Sequence, residues 1–354
     1  ALAAGILPFA VPEVCAAALR EGLTLCSGPL LLSLFPFLVV SRLLIQCPES
    51  DLLALPFRLA AWGIGIRTPC AARVLCIGFL GGFAPAASAA AQAVRTGQLT
   101  AEEADALLPA CICSGPSFVV LTVGQSLLGS AELGVLLFAS QITANYLTAA
   151  LLNRFAGVRS VKPGSAVPAF PAPPRLDEIL ADAAITYCKL CGFILFFRML
   201  AAGAGALLPD GAGTLCSILL EVCSGCDLAA RTGRWGSLLC CAALSVQGLS
   251  VLLQVRTICP PEMTLRPLYR ARMLHLPLSL ALFYLLLPGG EADVFSTLPA
   301  RVLLMRRVPP DCALLVFAVC CMAACTLRSG IRQVEQKQMA RNAGGCCINS
   351  KTLL

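Results

Sequence analysis

Apolar stretches of roughly twenty residues, the length that crosses a bilayer as a helix, follow one another along most of the chain. Short basic or proline-containing segments part them. Residues 23–41, 107–128, 132–152, 190–208, 236–255, 273–287 and 312–327 read in this way as seven crossing helices, the last two short. Two further stretches, 74–94 and 213–230, are apolar but crowded with Gly, Ala, Pro and Ser. The first holds Gly78, Gly81, Gly82 and Pro85; the second holds Glu221, Ser224, Gly225 and Asp227. Glycine and proline break a continuous helix, so both stretches are expected to be broken or re-entrant. Irregular backbone at membrane depth is tolerated only where protein or a wet cavity covers it.

The two irregular stretches end alike. Ala-Val-Arg-Thr-Gly at 93–97 returns as Ala-Ala-Arg-Thr-Gly at 229–233. Each copy is followed by a longer apolar stretch with a central Gly beside Ser: Ser114, Gly115 and Ser117 in one, Ser245, Gly248 and Ser250 in the other. This pattern implies two like halves, the plan of many secondary transporters.

Charge orients the spans. If the two irregular stretches dip and return while the seven others cross, most of the 26 Lys and Arg residues fall on the side of the C-terminus, including Arg42, Arg95, Lys189 and Arg272. Only Arg20, Arg231, Arg234, Arg301, Arg306 and Arg307 fall opposite, and Arg198 lies within a span. Lys and Arg favour cytoplasmic loops, so the C-terminus is expected inside. Each half then holds an odd number of crossings, and the halves lie upside down relative to each other.

Composition agrees with the pattern. Hydrophobic residues make up 58% of 354 and charged residues 13%, against about 25% charged in a soluble domain; mean hydropathy is +0.83. The net charge of +7 follows from cytoplasmic loops and calls for no nucleic acid. The 21 Cys stand mostly inside apolar runs, as at Cys240-Cys241, and read as small buried hydrophobes instead of a disulfide frame. Cys223-x-x-Cys226 has a ligand or redox spacing. With His275 as the single His, however, neither a metal nor a cofactor is expected. His275 itself is expected at the membrane interface. No phosphate loop, dinucleotide fingerprint or nucleophile–base pair points to an enzyme.

The fold class expected is thus an all-α integral membrane protein with about seven crossing helices, two re-entrant or broken helices and an inverted-topology internal repeat. Residues 1–153 form the first repeat with a short N-terminal segment. A Pro-rich cytoplasmic linker at 154–176 joins it to the second repeat at 177–290. An extra span at 291–327 and a polar cytoplasmic tail at 328–354 complete the chain.

From about residue 21 to 287 the chain resembles the bacterial sporulation integral membrane proteins of the nucleoside-recognition or gate type, the YlbJ or stage V sporulation protein V group. The residues that carry the resemblance are Ser33-Leu-Phe-Pro-Phe37, Gly81-Gly-Phe-Ala-Pro85 with Arg95-Thr-Gly97, and Ser114-Gly-Pro-Ser-Phe118. They continue with Leu220-Glu-Val222 and Gly225, then Ser245-Val-Gln-Gly-Leu-Ser-Val251 with Gln254. Cys111-Ile-Cys113 stands where the family pattern has an Asn-rich stretch. The resemblance implies a multi-pass membrane protein of the mother cell or outer forespore membrane that moves dipicolinate, a small aromatic dicarboxylate, toward the forespore. Its implied partners are the solute, the lipid bilayer, other sporulation membrane proteins or a second copy of the chain.

The candidate substrate-binding residues are Gly81, Gly82, Pro85, Ser114, Gly115, Ser117, Glu221, Ser224, Gly225, Ser245, Gln247, Gly248 and Ser250. A charge inside an apolar stretch costs several kcal/mol unless paired or hydrated. Glu221 is therefore either functional or an ion-pair partner, with Arg198 as the candidate cation. Gly beside Ser lets a helix unwind and turns backbone N–H groups toward a carboxylate; the same residues also suit close helix packing. Packing is the expectation for Gly78-x-x-x-Gly82, and interhelical hydrogen bonding for Gln141 and Asn145. Arg95 and Arg231 either guide an anion at the two mouths or cap the dipping helices. Asp227 either caps its stretch or sits at the outer surface. The function expected is a permease for a small organic anion. The alternatives are a non-transporting membrane scaffold of the sporulation machinery and a nucleoside-type permease.

Overall fold

A computed structural model describes residues 2–46, 50–156 and 176–287. The expected span at 312–327, the tail at 328–354 and most of the linker lie outside these residues. The described residues form helices and no strand.

In chain order, α1 (Leu2–Ala10), α2 (Pro12–Ser27) and α3 (Pro29–Gln46) lead into the short α4 (Ser50–Leu53) and α5 (Leu55–Gly63). Next, α6 (Pro69–Gly81) and α7 (Phe83–Arg95) pack against each other across a break at Gly82. α8 (Ala101–Cys111) runs into a non-helical stretch, followed by a π-helix (Ser117–Leu127) and α9 (Ala131–Ala156). After the linker, α10 (Leu176–Leu207) precedes a second packed pair, α11 (Asp210–Leu220) and α12 (Val222–Ala230), broken at Glu221. α13 (Gly236–Val246) and α14 (Gly248–Ile258) form one apolar run interrupted at Gln247, and α15 (Arg266–Leu286) follows.

Local chemistry accounts for the ends. Thr100 and Glu103 form a reciprocal capping box that starts α8, satisfying two N–H groups the first turn leaves free. Asp177 and Glu178 stand in the first turn of α10, where the helix dipole favours acidic side chains. This helix therefore starts well before the apolar stretch at 190–208.

Three expected crossings are not continuous helices; one of them, 236–255, is interrupted at Gln247. The 23–41 stretch breaks at Gly28, because Pro29 brings no N–H and restrains the residue before it. The 107–128 stretch stops at Cys111 and resumes as the π-helix after Pro116, for the same reason. Breaks were expected within 74–94 and 213–230, and both are present.

Three helical runs are long and apolar enough to cross a bilayer: Ala131–Ala156, Leu176–Leu207 and Gly233–Ile258. Residues of α9, α14 and α15 are distributed inside out. α9 buries Ser140, Gln141, Asn145 and Thr148 while exposing Val135, Leu147, Leu151 and Phe155. α15 buries Arg272, His275 and Ser279 while exposing Met273, Tyr284 and Leu285. α14 buries Ser250 and Gln254 while exposing Leu249 and Leu253. In water each exposed Leu or Phe forgoes roughly 1.5–3 kcal/mol of burial. In hydrocarbon the cost vanishes, and it is the polar groups that must be covered. The chain is an all-α, membrane-associated protein.

α10 lies antiparallel to the N-terminal helices. Arg42 pairs with Asp182 near its start, the Tyr187 hydroxyl donates to the Cys26 carbonyl, and Arg198 meets Glu21 at 2.8 Å. Farther on, Gly203 faces Leu7. Among the described residues no disulfide links the cysteines, which are mostly buried, in keeping with their reading as small apolar residues.

Candidate functional site

Within each half, the break in the folded-back pair touches the break in the run that follows. Gly82 has φ +81, and a Cβ there would lie 2.7 Å from the Gly115 amide nitrogen. Gly248 has φ +67, and a Cβ there would lie 2.9 Å from the backbone of Leu220 and Glu221. Only glycine permits both the left-handed conformation and the approach of bare backbone. The structure thus brings Gly82 to Gly115 and Glu221 to Gly248, two equivalent pairings. Gly81 packs against Pro85 and Phe37. Gly78 and Gly225 are packing positions too: a Cβ on Gly78 would meet Cys111, and one on Gly225 the Ile218 backbone.

Glu221 is buried and caps α12. One carboxylate oxygen accepts from the Cys223 N–H at 2.9 Å, the other from the Ser224 N–H at 2.7 Å. The helix N-terminus thus stabilises its charge. The expected partner Arg198 forms its ion pair with Glu21 instead. In the first half Gly82 holds the equivalent place and offers no capping side chain to α7. Asp227 forms an i,i+4 ion pair with Arg231, the C-cap of α12.

Side chains from three parts of the chain meet at the carbonyl of Ile112, the C-cap of α8. It receives Nη2 of Arg272 from α15, Nε2 of Gln247 at 3.4 Å and Nδ2 of Asn145 from α9 at 3.4 Å. A carbonyl has two lone pairs, so three donors leave the longer two only loosely held. Nη1 of Arg272 also reaches the Ser245 carbonyl at 3.4 Å. Ser245 accepts from Gln141 Nε2 at 2.9 Å and bonds to the Ser279 hydroxyl. The His275 ring, expected at the interface, is fully buried and bonds through Nε2 to the Gln141 carbonyl. α15 begins at Arg266, so His275 stands more than two turns into the helix, enclosed by protein.

Arg272 is 7% exposed, and among the described residues no carboxylate lies within ion-pair distance of it. Several buried atoms around it have no hydrogen-bond partner: Nε of Arg272, Oε1 of Gln247 and Nδ1 of His275. Each unpaired buried group costs about 1–3 kcal/mol, and such groups mark water or a ligand. Gln247 is also one of two non-glycine residues with positive φ among those described, at +60, a strain that clusters at functional sites. A buried cation with an unpaired Nε–H, beside two interrupted helices, forms a setting suited to an anion.

Of the sequence-predicted residues, Ser245 and Gln247 join this junction. Gly81, Gly82, Pro85 and Gly115 build the first backbone contact, and Glu221 and Gly248 the second. Ser114 and Ser117 flank the first break, half-buried. Ser224 lends its N–H to Glu221, and Ser250 accepts from Gln254 within α14. Gln141 and Asn145 form the expected interhelical bonds. Sequence reasoning missed Arg272, Ser279 and Asp105. The first two share a stripe with His275 at 272, 275 and 279, spaced as one helix face. Asp105 accepts from Thr264 N–H and Oγ1 and from Leu265 N–H at 2.7–3.1 Å, tying α8 to the start of α15. Compared with family models, with curated proteins and with solved structures, the chain matches none.

Proposed function

We propose that the chain is a multi-pass membrane permease for a small organic anion, held at the Ile112 junction by Arg272. The observation that carries this reading is a buried guanidinium without a carboxylate among the described residues, beside unpaired polar atoms and two helix interruptions. A central charge in a membrane costs about 2.5–3.5 kcal/mol by insertion scales. A bound anion offsets that cost in a way the neutral carbonyls of Ile112 and Ser245 do not.

The permease has seven crossings, two re-entrant hairpins (α6–α7 and α11–α12) and two halves of opposite orientation. The ends of the run Gly233–Ile258 support this. Arg95, at the end of α7, borders the same cleft as Thr257 and Ile258 at the run's C-terminal end. At its N-terminal end, Gly236 packs against Ala230, the end of α12. α13 and α14, of 11 residues each, rise about 16 Å apiece on either side of the interruption at Gln247, and the two Arg-Thr-Gly motifs border opposite ends of the run.

The solute class is a small carboxylate, and the resemblance carried by Gly81–Pro85 and Ser245–Val251 makes dipicolinate the first candidate, exported toward the forespore. The test is uptake of labelled dipicolinate and of a labelled nucleoside into vesicles bearing the purified protein. Uptake of the dicarboxylate alone supports the reading. Uptake of the nucleoside alone, or of neither, overturns it.

A further inference from the structure

A second polar feature lies far from the Ile112 junction. A cleft of about 170 Å³ opens between α3, α7, α10 and α14, several times the space one water needs. Three cations line it: Arg42, Arg95 and Lys189. Asp182, the one carboxylate in the lining, is engaged by Arg42. Ser88, Thr186 and Thr257 add hydroxyl groups, and Ile185, Leu190 and Ile258 form an apolar wall. Arg42 is 8% exposed, and its Nε has no hydrogen-bond partner. Arg95 and Lys189 are exposed and appear in no ion pair among the described residues.

The level of the cleft is fixed independently by hydropathy. Arg42 and Arg95 follow directly on the end of an apolar stretch, at residues 41 and 94, Thr257 lies two residues past the one that ends at 255, and Lys189 directly precedes the one that starts at 190. Four elements thus reach this cleft at the point where each leaves or enters hydrocarbon. Basic pockets between helices at the cytoplasmic headgroup level recognise anionic lipid phosphates.

We infer that this cleft binds a phosphate group, presented by the headgroup of an anionic phospholipid of the inner leaflet. Arg95 and Lys189 contact the phosphate oxygens, Arg42 holds the floor through its bond to Asp182, and Leu190, at the edge of its apolar stretch, borders the acyl chain. The inference rests on membrane association and, for the choice of leaflet, on the proposed orientation; it does not rest on transport, so a failed uptake measurement leaves it standing.

The experiment uses the full chain in detergent, titrated with phosphatidylglycerol or phosphatidylcholine and read by native mass spectrometry and thermal unfolding. The wild type is expected to retain phosphatidylglycerol over phosphatidylcholine and to unfold at higher temperature with it. The double substitution Arg95→Gln with Lys189→Gln is expected to weaken phosphatidylglycerol binding on the order of tenfold without changing the unfolding temperature in lipid-free detergent. If the double variant does not fold, Lys189→Gln alone, at an exposed position on α10, is expected to weaken binding severalfold. Glycerol 3-phosphate and inorganic phosphate serve as competitors. Displacement of the lipid by either at millimolar concentration shows that the phosphate alone is recognised and that a free solute also uses the cleft. Lack of displacement assigns the cleft to a lipid source. Equal retention of phosphatidylglycerol by wild type and variants, or no selective retention of lipid or phosphate by the wild type, overturns the inference.

Discussion

Arg272 on α15 donates to the carbonyl of Ile112, the residue at which α8 stops. This one contact joins the last described helix to the helix interruption of the first half. It explains how a buried guanidinium survives without a carboxylate: carbonyl dipoles from Ile112 and Ser245 take part of its charge. Nε is left over, and the junction is therefore polar, strained at Gln247 and incompletely satisfied.

The backbone contact at each break predicts a steep response to one methyl group. Gly82→Ala and Gly248→Ala each place a Cβ under 3 Å from backbone in a left-handed conformation. Overpacking and the left-handed penalty together cost about 2–4 kcal/mol, so thermal unfolding in detergent is expected at clearly lower temperature. Gly192→Ala, with nothing within 4 Å, is expected to be neutral or slightly stabilising. Equal behaviour of the three variants would contradict the close approach.

Glu221 is predicted to act as a cap. Glu221→Ala removes both acceptors for Cys223 and Ser224 N–H and is expected to cost about 1–2 kcal/mol. Glu221→Gln keeps one acceptor oxygen and is expected to lose less, with solute uptake retained. Loss of uptake in Glu221→Gln at unchanged unfolding temperature would instead make the charge functional.

Much of this architecture can be read from the chain, and the unread part has physical reasons. Gly82 with Pro85, and the acidic Glu221 in an apolar stretch, announce the two broken pairs, because glycine, proline and charge are all costly inside a membrane helix. Pro116 announced a break less audibly, since apolar residues on both sides keep the 107–128 hydropathy continuous. Gln247 carries no local signal at all: its positive φ is imposed by packing of Gly248 on Leu220. Arg272 was grouped with Arg266 and Arg270 as a loop cation. Its burial follows from a helix start six residues earlier and from a carbonyl 160 residues away. Asp105, whose partners Thr264 and Leu265 are equally distant, is invisible to any local pattern.

Asp105→Ala is predicted to loosen the link between α8 and α15. It strands the N–H groups of Thr264 and Leu265, and Leu265 holds φ +56. A loss of about 2–3 kcal/mol is expected, read as a lower unfolding temperature. Asp105→Asn, which retains an acceptor, should fall between.

The proposed opposite orientation of the halves predicts opposite accessibility of the repeated motifs. A short epitope placed after Gly233 is expected to be reached by antibody on intact cells, and one placed after Gly97 only after permeabilisation. Both epitopes on one side would contradict the inverted repeat.

The central claim is that Arg272 supplies the charge that holds the anion, and paired uptake measurements on three forms of the protein test it most directly. In Arg272→Gln a donor to Ile112 remains and a buried charge is removed, so folding is expected to persist. Dipicolinate uptake by this variant is predicted to drop to background, while Arg272→Lys keeps a measurable fraction. Wild-type uptake by a well-folded Arg272→Gln would contradict the account.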